Sequence, residues 1–159
     1  MNEKLKAAAQ HFSPPDPDYR ARVEASFARQ RVMNTLGVHI TDLQPGRIVL
    51  EMPYAAEFTQ QHGFLHAGIV ATALDSACGY AGFSLMAKEA AVLTVEFKTN
   101  LLAPAKGQRF IFIGEVLKPG RTLTVAEAKA FAIDGESEKL IASMTGTLMA
   151  LTGREGVQG

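Results

Sequence analysis

The segment of residues 67–87 constrains the fold of this chain most, because nearly all of its residues are apolar or small and Asp75 is its only charged side chain. A helix that is apolar on every side is buried in the protein. A carboxylate inside such a helix loses its hydration, so it must be compensated or have a raised pKa. We therefore predict a buried central helix and infer that Asp75 is kept there for function.

A membrane span is the alternative interpretation of this segment, because about 20 apolar residues can cross a bilayer. The segment is rich in Ala and Gly, however, whereas membrane helices are richer in Leu, Ile, Val and Phe. Asp75 also lies in its middle, where inserting an acid into lipid is costly. The residues after Lys88 alternate like those of a soluble sheet. These features favour a central helix without membrane insertion.

Composition excludes several classes of protein. The 159 residues suffice for one domain with a proper core. The 16 Lys and Arg residues balance the 16 Asp and Glu residues, so no large net charge attracts nucleic acid or an anionic surface. Cys78 is the only cysteine, which excludes an intrachain disulfide. Because the N-terminus lacks a long apolar signal core, we expect a cytoplasmic protein.

The chain is expected to contain three parts: an N-terminal helical extension over residues 1–35, a folded domain over 36–151 and a flexible tail over 152–159. The extension is predicted to hold a short helix over 2–11, then a proline-rich linker that breaks it. A second helix is predicted over roughly 18–35, where apolar residues recur at four-residue spacing.

In the folded domain, two predicted strands over 38–43 and 47–52 precede the central helix, and four strand-like runs follow it. Pro45 and Gly46 favour a type II turn between the first two strands. The first strand after the helix alternates, which is typical of a half-buried strand with one apolar face. We expect that face to carry Leu93, Val95, Phe97 and Leu101. The element order predicts an α+β fold in which an antiparallel sheet covers the helix.

Four motifs resemble those of one protein family. They are QQHGFLHAG at 60–68, ALDSA at 73–77, LLAPA at 101–105 and VLKPGRT at 116–122. Together they are similar to the PaaI-type acyl-CoA thioesterases of the hotdog fold, and the resemblance covers roughly residues 35–151. It implies a hotdog fold, with an antiparallel sheet wrapped around the central helix, and the hydrolysis of an acyl-CoA thioester to a free acid and coenzyme A.

The resemblance also implies catalytic roles. Asp75 matches the carboxylate with which the family activates water or attacks the thioester carbon. The alternative interpretation is that Asp75 has a structural role only and is held by backbone or hydroxyl donors. The N–H of Ala67 matches the oxyanion donor, although the family usually has Gly-Gly where this chain has Ala67 and Gly68. Gln60 matches an amide that faces the thioester, and Gln61 takes this role if the register is shifted by one.

His66 matches a family histidine that shapes the carbonyl pocket, and we favour such support over proton transfer. Thr94 matches a Ser or Thr that positions the attacking water, but it is equally well explained as an ordinary sheet residue. Gly68 is assigned to substrate binding. Arg121 and Lys118 flank a Pro-Gly turn and could meet the phosphates of coenzyme A, although such side chains are usually only solvated, and Arg121 is the better candidate because its fork suits phosphate.

By resemblance, the substrate is an acyl-CoA, no metal or bound cofactor is implied, and the partner is a second copy of the chain. The family forms homodimers or homotetramers in which two subunits share each active site. Three alternatives stay open. The domain could bind or sense acyl-CoA without catalysis, it could be a hotdog dehydratase, or residues 1–35 could dock a partner.

Overall fold

A computed structural model of the chain describes residues 11–153. The predicted helix over 2–11 lies outside these residues except for His11, and so does the predicted tail beyond Gly153. The helices are α1 (Tyr19–Ala28), α2 (Arg31–Leu36) and α3 (Ala67–Phe83), with one 3-10 turn at Ala56–Phe58. The strands are β1 (His39–Gln44), β2 (Arg47–Pro53), β3 (Ala91–Leu101), β4 (Arg109–Lys118), β5 (Leu123–Asp134) and β6 (Ser137–Leu151).

The six strands form one antiparallel sheet in the order β1-β2-β4-β5-β6-β3. Helix α3 packs against every strand from β2 to β6, so the sheet wraps around it. This arrangement confirms the predicted hotdog fold. Gly46 has a φ of 77°, the conformation that a type II turn needs at its third residue, and it links β1 to β2. Among the described residues, no helix is long and apolar enough to cross a membrane.

The sheet accommodates a buried helix because its inner face carries small side chains. In β5 four buried inward positions are alanines: Ala126, Ala128, Ala130 and Ala132. In β4, a Cβ atom added to Gly114 would lie 2.2 Å from the carbonyl oxygen of Ala77 in α3. Strand and helix therefore meet backbone to backbone at this glycine, and residues 76–83 of α3 are all buried.

The N-terminal segment packs on the same core as α3, through Val23, Phe27, Met33 and Leu36. The single helix predicted over 18–35 is wrong, since the structure has two helices separated at Gln30. The backbone of Gln30 is extended, with φ −78° and ψ 91°, and its Oε1 accepts a hydrogen bond of 3.1 Å from the Ser76 hydroxyl. This tertiary contact and the extended backbone coincide at the point where the helix breaks.

Arg22 of α1 ties the N-terminal segment to the C-terminal end of α3. Its guanidinium donates to the carbonyl oxygens of Phe83 (3.3 Å) and Met86 (2.9 Å) and lies 4.2 Å from the centre of the Phe83 ring. It also forms a 2.8 Å ion pair with buried Asp16. Burial alone would raise the pKa of Asp16, but hydrogen bonds from the Asp18 N–H and from Arg22 bring that pKa below its usual value.

Strand β3 departs from the predicted half-buried strand. It lies at the edge of the sheet, and the register with β6 shifts between Thr94 and Glu96, so Val95 is an extra, bulged residue. The bulge reverses the alternation. Thr94 and Phe97 therefore share the face towards α3, while Leu93 points to the other face, and the predicted apolar face is wrong. Because an edge strand lacks a neighbour on one side, Leu93 is 51% exposed and Leu101 is 60% exposed.

Candidate active site

The first residues of α3 leave one backbone donor free. His66 occupies the N-cap position, and its Nδ1 accepts a 2.9 Å hydrogen bond from the N–H of Gly68. The N–H groups of Ile69 and Val70 donate to the carbonyl of His66. The N–H of Ala67 has no hydrogen-bond partner within residues 11–153. Its φ is not positive, so alanine fits this position without strain.

This geometry defines what His66 and Gly68 do in the structure. Because Nδ1 of His66 accepts a hydrogen bond from a backbone N–H, the imidazole acts as a helix cap. The same bond occupies the N–H of Gly68. Support of the carbonyl pocket by His66 stays a prediction.

Gln60 is held by a closed loop that precedes α3. Its N–H donates to the carbonyl of Phe64 (2.8 Å), and its carbonyl accepts from the N–H of Gly63 (2.9 Å), whose φ of 79° favours glycine. Its Oε1 accepts from the N–H of His62. The Nε2 group makes no hydrogen bond to a described residue and remains a free donor.

Gln60 and Ala67 line the same cavity, which has a volume of about 420 Å³. Apart from Gln60, the described residues that form its walls are apolar, and they belong to the loop before α3, to α3, to the end of β3 and the β3–β4 connection, and to β6. Gln61 is exposed and does not line it, so Gln60 is the better placed of the two glutamines. Sequence reasoning missed the contributions of Val70 and Ile141, which read only as core residues.

Asp75 and Thr94 form the second cluster. The hydroxyl of Thr94 donates a 2.8 Å hydrogen bond to Oδ1 of Asp75. Burial raises the pKa of Asp75, and the hydrogen bond from Thr94 opposes part of that rise. No Lys, Arg or His of residues 11–153 lies within ion-pair distance of this carboxylate. The group is therefore held in place by one donor and is not neutralised by a counter-ion.

The two clusters are separated within one chain. Ala67 and Asp75 lie eight residues apart in α3, which corresponds to about 12 Å along the helix at about 1.5 Å per residue. A thioester carbonyl bound at Ala67 is thus out of reach of Asp75 of the same subunit. Asp75 accepts a hydrogen bond from Thr94, and Gln60 lines the same cavity as Ala67. The structure of one subunit does not bring these two pairs together.

Lys118 is the last residue of β4, and Arg121 lies on the β4–β5 connection. Neither side chain makes a hydrogen bond or ion pair with another described residue. This connection lies at the Asp75 end of the sheet. Leu123, just after it, pairs with Met149, and Met149 pairs with Leu93, the neighbour of Thr94. Two strand spacings of about 4.8 Å separate Leu123 from Leu93, so the start of β5 lies about 10 Å from the part of β3 that holds Thr94.

Cys78 and the histidines offer no further chemistry in the described part of the chain. Cys78 is buried, and burial, followed by the charges of Asp75 and Glu127, raises the pKa of its thiol to about 12. Cys78 is therefore a core residue and not a nucleophile, because a nucleophilic cysteine needs a low pKa. No group of three or more His, Cys, Asp or Glu residues within 11–153 has the arrangement of a metal site.

The family model of the thioesterase superfamily matches residues 62–139, which include Ala67, Asp75 and Thr94 but begin two residues after Gln60. A solved structure of a thioesterase family protein from Silicibacter pomeroyi is 66% identical, covers 85% of this chain and 99% of that chain, and superimposes with a TM-score of 0.84. The chain belongs to the thioesterase superfamily. This membership confirms the resemblance found in the sequence motifs and supports a hydrolase.

Two further relatives bear on this membership. Human acyl-coenzyme A thioesterase 13 is 32% identical over 108 residues, which cover 65% of this chain and 75% of that protein. The PaaI protein of E. coli, from its phenylacetic acid degradation operon, has a TM-score of 0.76, covering 86% of this chain and 95% of that chain. At 18% identity, the likeness to PaaI shows the fold alone.

Proposed function

We propose that this protein is an acyl-CoA thioesterase that hydrolyses its substrate to a free acid and coenzyme A. The state of Asp75 supports this most. It is an acid in an apolar helix with a raised pKa, and its one donor among residues 11–153 is the hydroxyl of Thr94. Asp75 is half-buried, and a carboxylate that a fold keeps in such a place for structure is normally paired or fully hydrogen-bonded. A carboxylate that is oriented but not neutralised keeps a basic oxygen for chemistry.

In the proposed reaction, the thioester oxygen accepts a hydrogen bond from the free N–H of Ala67 at the positive end of α3. The free Nε2 of Gln60 is a second donor. In one route, Asp75, oriented by Thr94, takes a proton from the water that adds to the carbonyl carbon, the C–S bond breaks, and the sulfur of coenzyme A leaves with that proton. In the other route, Asp75 adds to the carbonyl carbon itself and the C–S bond breaks. Water then hydrolyses the mixed anhydride, which releases the acid, restores the carboxylate and supplies the proton of the thiol.

Two subunits are needed to complete this site, because Asp75 lies too far from Ala67 of its own chain. Strand β3 offers the surface for pairing, since it is an exposed sheet edge with apolar residues such as Phe97 and Leu101. Such an edge is normally covered in a stable protein. We propose a homodimer, or a homotetramer of two such dimers, in which Asp75 of one subunit faces Gln60, His66 and Ala67 of the other.

Coenzyme A would lie towards the Asp75 end of each subunit, where Arg121 and Lys118 carry free positive charges. Phosphates bind guanidinium and ammonium groups through charge-assisted hydrogen bonds. We propose Arg121 as the main phosphate ligand, with Lys118 beside it. A cytoplasmic location, where cysteines such as Cys78 stay reduced, fits this substrate.

Subunit mixing tests the shared site. Asp75→Asn and Gln60→Ala variants are each expected to release little thiol from an acyl-CoA. When the two are co-expressed in equal amounts, random pairing rebuilds one intact site in each mixed dimer, or about a quarter of the native activity. Mixed protein no more active than its parents would contradict the shared site. A native protein that binds acyl-CoA but releases no thiol would instead be a binding or sensing domain.

A further inference from the structure

The cavity beside Gln60 and Ala67 has a rim and a floor that differ in exposure. At the rim, Leu101 and Leu102 are more than half exposed. At the floor, Val70, Ala105 and Ile141 are buried. Within one subunit, the cavity therefore opens beside the proposed oxyanion donor and closes against the core. Because Leu101 also lies on the β3 edge proposed for pairing, this opening faces the proposed partner subunit.

The chemistry of the walls decides which part of a thioester enters. Gln60 supplies the one polar side chain of the lining, and it stands beside Ala67, where the carbonyl would bind. The arm of coenzyme A contains two amides and ends in phosphates, which would lose their hydrogen bonds in an apolar cavity. A hydrocarbon acyl group has no hydrogen bonds to lose there, and its transfer from water into the cavity favours binding. The acyl group enters, and the amides and phosphates of the coenzyme stay outside.

The volume of the cavity limits the length of the acyl group that can bind. An apolar protein cavity of about 150 Å³ holds one benzene ring, so a volume of about 420 Å³ holds about 17 non-hydrogen atoms at the same filling. The thioester carbon, oxygen and sulfur and the first carbons of the coenzyme arm take about five of these places at the rim. Room for about twelve carbons remains.

We propose, on the basis of the proposed function, that this cavity is the acyl pocket and selects uncharged hydrocarbon acyl groups, straight-chain or aryl, of up to about twelve carbons. Ala105 sets the depth of the pocket, because it is a small residue at the buried floor. Its carbonyl accepts a 3.1 Å hydrogen bond from the N–H of Leu65, which fixes the floor to the loop before α3. Charged acyl groups are excluded, since no cation of residues 11–153 lines the cavity.

Two opposite variants test this assignment. Ala105→Leu adds three carbons to the floor, and Val70→Ala removes two. The readout is the ratio of kcat/KM for decanoyl-CoA to that for butanoyl-CoA within each protein. Each buried methylene is worth about fourfold in binding, so Ala105→Leu should lower this ratio by about 50-fold. Val70→Ala should enlarge the pocket, so the longest acyl-CoA that is hydrolysed with high kcat/KM should become longer. Ala25→Leu, on the exposed side of α1, is the matched control and should leave the ratio unchanged.

Binding of uncleavable ketone analogues separates this proposal from the proposed function. In these analogues a methylene stands between the sulfur and the carbonyl, and calorimetry measures their affinity. Length-dependent binding that Ala105→Leu shortens would support the pocket even if the native protein released no thiol, an outcome that would end the thioesterase proposal alone. Binding independent of chain length, a ratio unchanged in both folded pocket variants, or succinyl-CoA turned over as fast as butanoyl-CoA would overturn the pocket assignment.

Discussion

Gly114→Ala should displace the helix that carries Asp75. A Cβ atom at this position would lie 2.2 Å from the carbonyl oxygen and 2.5 Å from the carbonyl carbon of Ala77. Both are backbone atoms, so no side-chain rotation relieves the overlap. Because non-bonded carbons approach to about 3.5 Å, α3 and β4 must separate by at least about 1 Å. Overpacking of this kind costs roughly 1–3 kcal/mol.

Two measurements follow from that displacement. In a chain of this length, 1 kcal/mol shifts the thermal midpoint by about 2–4 °C, so Gly114→Ala should unfold roughly 2–12 °C lower. Asp75 precedes Ala77 by two residues, and a 1 Å misplacement of a catalytic group can cost on the order of 100-fold in rate. We expect kcat for thiol release to fall by about that factor in protein that is still folded.

Gly79→Ala is the matched control in α3. A Cβ atom at Gly79 would meet nothing within 4 Å, and alanine favours a helix interior by about 0.5–1 kcal/mol over glycine. This variant should unfold about 1–4 °C higher. If Gly114→Ala unfolded at the native temperature with native kcat, the backbone contact between β4 and α3 would be refuted.

Three other predictions test separate contacts. Thr94→Val removes the hydrogen bond that lowers the pKa of Asp75, so the acidic limb of the pH–rate profile should move to higher pH and kcat should fall roughly tenfold. Cys78, with a pKa of about 12, should react with a thiol reagent at pH 8 on the order of 10³-fold more slowly in folded than in unfolded protein. Because the pKa of Asp16 is lowered in the fold, its pair with Arg22 stabilises the protein above about pH 4 and fades as the pH falls further. Urea unfolding should therefore show a larger loss for Arg22→Met at pH 7 than at pH 3.

Much of the fold could be predicted from the sequence, because local residue patterns match the surroundings of each element in the structure. The apolar run around Asp75 predicted a buried helix, and α3 begins at Ala67 as the motif implied. The Pro-Gly pair at 45 and 46 predicted the turn between β1 and β2. In each case the residue types satisfy a requirement that acts over a few neighbours.

Features set by distant contacts could not be predicted. The bulge at Val95 reverses which side chains of β3 face the helix, and nothing in the local alternation signals it. The break at Gln30 coincides with a contact to Ser76, and the close approach at Gly114 depends on a helix 37 residues earlier in the chain. The cavity joins loop, helix and two strands, so its floor residues read only as core.

Asp75→Asn removes the carboxylate that is proposed to drive thioester hydrolysis, and thiol release is the readout. Thiol release from decanoyl-CoA should fall by about 10²–10⁴-fold, the usual contribution of a general base. The variant should also be at least as stable as the native protein at pH 7. Burial raises the pKa of Asp75 in the fold, so the native carboxylate is a destabilising charge above its folded pKa, and asparagine removes that charge. Native turnover in folded Asp75→Asn protein would contradict the account.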